Sequence, residues 1–127
     1  MSNILIIEDD ATVLAYLKFL IKKKFGSTIY TDNNGEDGLK LLAEIVPDII
    51  LLDVYMPGMG GVEFLELLRK NEKFAKTPVL IISSEKDSEI ITKLIGLGIT
   101  DYILKPVNPG ITYERLGKVI KQITQNH

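Results

Sequence analysis

A doubly wound α/β domain, with a parallel sheet between two layers of helices, is predicted by three features of the sequence. Short apolar runs alternate with longer segments of helical periodicity along the whole chain. One run, Ile49-Ile50-Leu51-Leu52, is apolar at every position, as a strand covered on both faces of a parallel sheet must be. Acids, hydroxyls and a lysine follow directly on these runs, at the strand ends where open α/β sheets place their ligands.

The elements follow in order. Asn3 to Ile7 reads as a strand closed by Glu8-Asp9-Asp10. Asp10 is placed to cap a helix from Ala11 to Phe25, with Val13, Leu14, Leu17, Leu20, Ile21 and Lys24 at near-helical spacing, and Gly26 ends it. Thr28 to Thr31 is a brief β-prone run. Asp32-Asn33-Asn34-Gly35 then turns the chain into a helix from Glu36 to Ile45, with Leu39, Leu42 and Ala43 inward, and Pro47 stops it. The third strand ends in Asp53. Met56-Pro57-Gly58 breaks it, and Gly60-Gly61 offers a flexible turn into a helix from Gly61 to Asn71 along Val62, Leu65 and Leu68. Val79 to Ile82 is the fourth strand, Asp87 to Leu97 the fourth helix, Tyr102 to Leu104 the fifth strand and Tyr113 to Gln125 the fifth helix. Right-handed crossovers between parallel strands bring every following loop to one edge of the sheet.

Composition narrows the function classes. A chain of 127 residues, 46% hydrophobic, suits one compact domain spanning 1–127 with a substantial core. No linker, low-complexity tract or longer repeat interrupts it. A net charge of −2 from 15 basic and 17 acidic residues gives no overall reason to expect a nucleic-acid partner. The run Lys22-Lys23-Lys24 reads as a solvated helix end. With no cysteine there are no disulfides, thiolate metal sites or Cys nucleophile, which fits a reducing cytoplasm. The apolar run Ile4 to Ile7 stops at three acids and has no basic segment before it, so neither a signal peptide nor a membrane span is expected.

The loop edge collects Glu8, Asp9 and Asp10 after the first strand, Asp53 after the third, Ser83 and Ser84 after the fourth, and Lys105 after the fifth. Crowded carboxylates repel, so one takes up a proton or a cation sits among them. Oxygen ligands without His or Cys favour Mg2+. Lys105 offers a point charge and Ser83 a hydrogen bond to a phosphate oxygen, which together describe a phosphoryl-transfer site with a carboxylate nucleophile. Plainer accounts compete at each position. Asp53 could make an ordinary Asx turn, Asp10 a helix cap, Ser83 or Ser84 a cap of the fourth helix, and Tyr102 an ordinary strand aromatic. His127 is given no role.

ILIIEDD, LLDVYMPGMGG, VLIISSE and DYILKP, in this order and spacing, cover essentially the whole chain. In these motifs the sequence resembles the response-regulator receiver domain of two-component signalling, close to the chemotaxis receivers. The resemblance implies a flavodoxin-like fold with strand order 2-1-3-4-5 and a cis peptide between Lys105 and Pro106. It implies that Asp53 accepts a phosphoryl group from the phosphohistidine of a sensor histidine kinase or phosphotransfer protein. It further implies Mg2+ held by Glu8, Asp9, Asp53 and the backbone carbonyl of Tyr55, with Ser83 as switch hydroxyl, Lys105 as phosphate-binding lysine and Tyr102 as switch aromatic. Such a domain is a signalling phosphoacceptor that assists its own phosphorylation and dephosphorylation. The face of the fourth helix, fifth strand and fifth helix then meets a downstream effector or a second receiver, with no direct nucleic-acid or membrane contact.

Three positions depart from the usual receiver pattern. Gly60 stands where an Asp is usual, removing a side-chain cap at a cost of a few tenths of a kcal/mol. Glu8 replaces a more frequent Asp. Tyr55 and Glu85, two residues after Asp53 and Ser83, border the path of the hydrolytic water in receivers, and bulky Tyr55 is expected to slow phosphoryl loss. Other functions fit less well. An aspartyl-phosphate hydrolase would want an acid at position 55, and a nucleotide site would want a glycine-rich first loop. A receiver-like interaction module that is not phosphorylated would lack one of Asp53, Lys105 or the acidic pair. No output segment is recognised after the last helix, as in a stand-alone receiver or one excised from a longer regulator.

Overall fold

A computed structural model of the protein describes residues 2–125. Strands and helices alternate as β1 (Asn3–Ile7), α1 (Ala11–Phe25), β2 (Thr28–Asp32), α2 (Gly35–Leu41), β3 (Ile49–Leu52), α3 (Gly61–Lys70), β4 (Val79–Ser83), α4 (Ser88–Gly96), β5 (Asp101–Leu104) and α5 (Pro109–Gln125). The strands form one parallel sheet in the order β2-β1-β3-β4-β5, the doubly wound, flavodoxin-like arrangement expected.

The unbroken apolar strands are explained by two cores, one on each face of the sheet. Alternate side chains point to opposite faces. Leu5, Ile7, Ile50, Leu52, Val79 and Ile81 meet Leu42 just past α2, Phe64, Leu65 and Leu68 of α3, and Leu94 of α4. Ile4, Ile6, Ile49, Leu51, Leu80 and Ile82 meet Leu17, Ile21, Leu116 and Val119 of α1 and α5. No described helix is long and apolar enough to cross a membrane.

Several boundaries differ from expectation for physical reasons. α2 ends at Leu41 rather than Ile45, and the residues after it turn, leaving Ala43 exposed rather than inward. α5 begins at Pro109, one turn before Tyr113, because proline suits a helix's first turn, where its missing N–H is not needed. Neither Ser83 nor Ser84 caps α4: Asp87 does, its carboxylate accepting from Glu89 N at 2.8 Å. Lys24 is exposed, and Phe64, absent from the expected apolar line of α3, is fully buried. A 3-10 turn at Glu72–Phe74, not anticipated, buries Phe74 under α3. Asp10 caps α1 as expected, accepting from Thr12 N and Val13 N, and Gly60 gives α3 no side-chain cap. The Lys105-Pro106 peptide is cis. His127 lies outside the described residues.

Candidate functional site

Hydrogen bonding carries the sheet one residue past its strands, and this fixes the site. Glu8 N donates to Asp32 O at 3.1 Å, Asp53 N to Ile7 O at 3.0 Å and Lys105 N to Ser83 O at 2.9 Å. Each of these residues leaves its strand still held by a neighbouring one, so Glu8, Asp53, Ser83 and Lys105 stand side by side at the carboxyl edge. Asp53 is 4% exposed, Glu8 2% and Ser83 0%, whereas Asp9 faces solvent.

Lys105 Nζ lies 2.5 Å from Glu8 Oε1 and 3.1 Å from Asp53 Oδ2, bridging the two buried acids. Carboxylate oxygens of Glu8, Asp9 and Asp53 all lie within 4.8 Å of one another. Burial, with the neighbouring Asp53 adding to it, pushes the Glu8 carboxyl up to about 8 even though Lys105 opposes the shift. Burial pulls on the Lys105 ammonium in the opposite sense, but its bonds to Glu8 and Asp53 outweigh that and hold it above its ordinary value. Glu8 Oε2 is buried with no hydrogen-bond partner. An orphaned carboxylate oxygen, in a cluster of hard oxygen ligands with more acid than base, fits a divalent cation such as Mg2+. Asp10, occupied as a helix cap, is not part of this cluster.

The remaining predicted residues gather on the neighbouring loop. Ser83 Oγ accepts from Glu85 N at 3.2 Å, and the Tyr102 hydroxyl donates to Glu85 O at 2.7 Å. Burial raises the Tyr102 phenol; a Ser83 hydrogen bond opposes this, and the negative charges of Glu85 and Asp53 add to it. Tyr55 N reaches Asp53 Oδ1 at 3.4 Å, and the Tyr55 hydroxyl donates to Glu85 Oε2. This contact between Tyr55 and Glu85 was not legible as a bond in the sequence. Its one signal is positional, since Tyr55 and Glu85 stand two places after Asp53 and Ser83, which lie at the ends of strands that pair with each other. Ser84 is exposed and takes no part. Beside Tyr102, a groove of about 390 Å³ runs between α4, β5 and α5, with Leu104 and Ile111 exposed along it.

Comparison with known proteins agrees with this fold. The profile of the response regulator receiver domain matches residues 4–116. The probable C4-dicarboxylate response regulator DctR of Bacillus subtilis is 37% identical over 124 residues, which are 97% of this chain and 52% of that protein. The chain thus spans about half the length of such curated relatives. Among solved structures, the N-terminal domain of WS1339 from Wolinella succinogenes superposes with a TM-score of 0.91 at 30% identity, covering 100% of both chains. Vibrio cholerae chemotaxis protein CheY4 superposes with a TM-score of 0.83 at 26% identity, over 97% of this chain and 98% of that one. Fold, motif order and a profile match over most of its length agree: the chain belongs to the response regulator receiver domain family.

Proposed function

We propose that Asp53 accepts a phosphoryl group from the phosphohistidine of a sensor kinase or phosphotransfer protein, and that the domain passes the signal on through the α4-β5-α5 face. The observation that carries this reading is the convergence of Glu8, Asp9, Asp53, Ser83 and Lys105 from four separate strands on one partly buried spot. An interaction module without phosphorylation has no use for that costly set of buried charges.

Glu8, Asp9 and Asp53, with the carbonyl of Tyr55, would hold Mg2+. When bound, the ion supplies positive charge to the equatorial oxygens of the phosphoryl group in flight. An Asp53 carboxylate oxygen forms the new P–O bond as the P–N bond to imidazole breaks, the electron pair going to the departing ring. Lys105, already on Asp53 Oδ2, is placed to neutralise the new phosphate oxygens. Ser83, buried at the end of the strand beside Asp53, has a hydroxyl that can donate to a phosphate oxygen there. As Ser83 moves toward that oxygen it vacates space beside Tyr102, and the exposed groove at α4, β5 and α5 changes shape for an effector or a second receiver.

The test is incubation with Mg2+ and acetyl phosphate followed by mass spectrometric mapping. One phosphoryl group on Asp53, lost in Asp53→Asn and without chelatable metal, is the expected result. No modification at saturating donor, or modification elsewhere, rejects the reading.

A further inference from the structure

At the edge of the sheet farthest from β5, α1 and β2 frame a groove of about 580 Å³ lined by Lys18, Phe19, Lys22, Lys23 and Ile29. Its apolar part is Phe19, 60% exposed, and Ile29, which packs against the core beneath α1. The described lining residues include three lysines and no acid, although the chain as a whole carries a net charge of −2. Among the described residues none of these lysines makes an ion pair, and Lys23 Nζ instead sits 5.6 Å from the centre of the Phe19 ring. A place in the last helical turn accounts for Lys22 and Lys23 but not for Lys18, one turn earlier. Lys18 and Lys22 are also at the i, i+4 spacing where like charges on a helix repel.

The open edge of β2 adjoins this groove. Within the sheet β2 pairs with β1 alone, and Thr28 N donates to Ser2 O and Asp32 O accepts from Glu8 N on that side. Successive residues of a strand turn their N–H and C=O to alternate edges, so those of Ile29 and Thr31 face outward with no strand beside them. The opposite edge is treated differently: Arg115 donates to Tyr102 O, and Asp101 Oδ1 accepts from Tyr102 N at 2.8 Å. β2, TIYTD, has no lysine, proline or bulge of its own to blunt its edge.

We propose that the groove between α1 and β2 docks an extended, acidic segment of a partner protein. The segment adds as a sixth strand along β2 through the N–H and C=O groups of Ile29 and Thr31. On the face turned to α1 it lays an apolar side chain on Phe19 and Ile29, and carboxylates at the alternate positions to either side meet Lys18, Lys22 and Lys23. A bilayer or a nucleic acid would use the lysines but has no backbone to pair with an open strand, and this favours a protein segment. The site is on the sheet edge opposite β5, so its occupation leaves the α4-β5-α5 face free. It does not depend on Asp53 being a phosphoacceptor.

A display library of random peptides, selected on the wild-type protein, tests this. The comparison is the triple variant Lys18→Glu, Phe19→Ser, Lys22→Glu, whose changes fall at exposed positions and should leave the circular dichroism spectrum as it is. Selected peptides should carry acids at alternate positions around an apolar residue, and the variant should bind them roughly tenfold more weakly or worse, since like charges then face each other. Added salt should weaken binding to the wild type. A selected peptide should also slow hydrogen exchange at the Ile29 and Thr31 amides of the wild type, a measurement that does not require the variant to fold. Peptides that bind both proteins alike, that lack acids, or that leave those two amides exchanging as before overturn the proposal. A selection that yields no peptide overturns it too. So does binding of phosphatidylserine vesicles or duplex DNA that the triple variant loses while no peptide binds, which would assign the lysines to one of those surfaces.

Discussion

Lys105 and Glu8, 97 positions apart in sequence, stand 2.5 Å from each other between Nζ and Oε1, and the same ammonium is 3.1 Å from Asp53. One partly buried cation thus serves two buried acids, with Asp9 at the rim as a third. Burial is the main reason the Glu8 carboxyl is raised, and the neighbouring Asp53 adds to it. A protein without a bound cation keeps a proton there.

The sign of the resulting pH dependence follows. Unfolded Glu8 loses its proton near 4.5, whereas the folded protein keeps it until about 8. Between these values the native state binds more protons than the unfolded state, so stability is fully present below the unfolded value and falls as pH rises through the window. Urea titrations of metal-free protein should therefore lose a few kcal/mol from about pH 5 to about pH 8, and Glu8→Gln should flatten that slope. Mg2+ should raise the urea midpoint more at the alkaline end, where Glu8 is free to ligate. A wild-type slope equal to that of Glu8→Gln would contradict this account.

Removing the shared cation has its own signature. Lys105→Met leaves Glu8 and Asp53 buried without a counter-charge, and breaking such a pair costs about 3 kcal/mol where both partners are charged. The loss should be largest near pH 8 and shrink toward pH 5, where Glu8 carries a proton. Equal destabilisation at both ends, measured by urea unfolding, would show that packing of the lysine stem and not charge is responsible.

The fold and the site were legible in the sequence to different depths. Strand runs such as Ile4 to Ile7 and Ile49 to Leu52 are apolar throughout, the pattern produced by a parallel sheet with two covered faces. The convergence of the candidate site residues was legible because parallel topology sends the end of every strand to the same edge. The end of α2 was not, since Leu42 and Ala43 continue a helical spacing that the turn after Leu41 abandons. Phe74 was missed because a single 3-10 turn is too short to show a period. The Tyr55 to Glu85 bond is a side-chain choice made across two loops, and no local pattern encodes it.

Arg69 was equally silent in the sequence, yet it ties α3 to the far end of α4. Its guanidinium donates to Leu97 O at 2.8 Å, Gly98 O at 3.0 Å, Phe74 O at 2.9 Å and Thr77 O at 2.8 Å. Burial lowers its pKa from the ordinary arginine value, and no carboxylate pairs with it among the described residues. Four carbonyls from two connecting segments are thus satisfied by one fork. Arg69→Met should cost about 2–4 kcal/mol in urea unfolding, and Arg69→Lys should recover only part of it. A cost within about 0.5 kcal/mol, ordinary for a surface position, would mean water replaces the fork without loss.

Gly60 and Gly61 separate two reasons for glycine that look alike in sequence. Gly60 has φ −77° and ψ 175°, a conformation open to any residue, and a Cβ there would meet only Val54 O, at 3.2 Å. A Cβ on Gly61 would fall 2.4 Å from Asp53 O and 2.8 Å from Val54 Cα. Those are main-chain atoms of the segment that holds the proposed phosphoacceptor, so they cannot swing aside as a side-chain tip would. Gly61→Ala should therefore cost about 1–3 kcal/mol or more and displace Asp53. That displacement should appear as altered amide shifts at Asp53 and Val54 and slower labelling by acetyl phosphate. Gly60→Asp supplies the missing cap of α3 and should change stability by only a few tenths of a kcal/mol, in the favourable direction once the contact with Val54 O is relieved. If Gly61→Ala proved as mild as Gly60→Asp, the close passage of α3 over the backbone of Asp53 would not constrain the site.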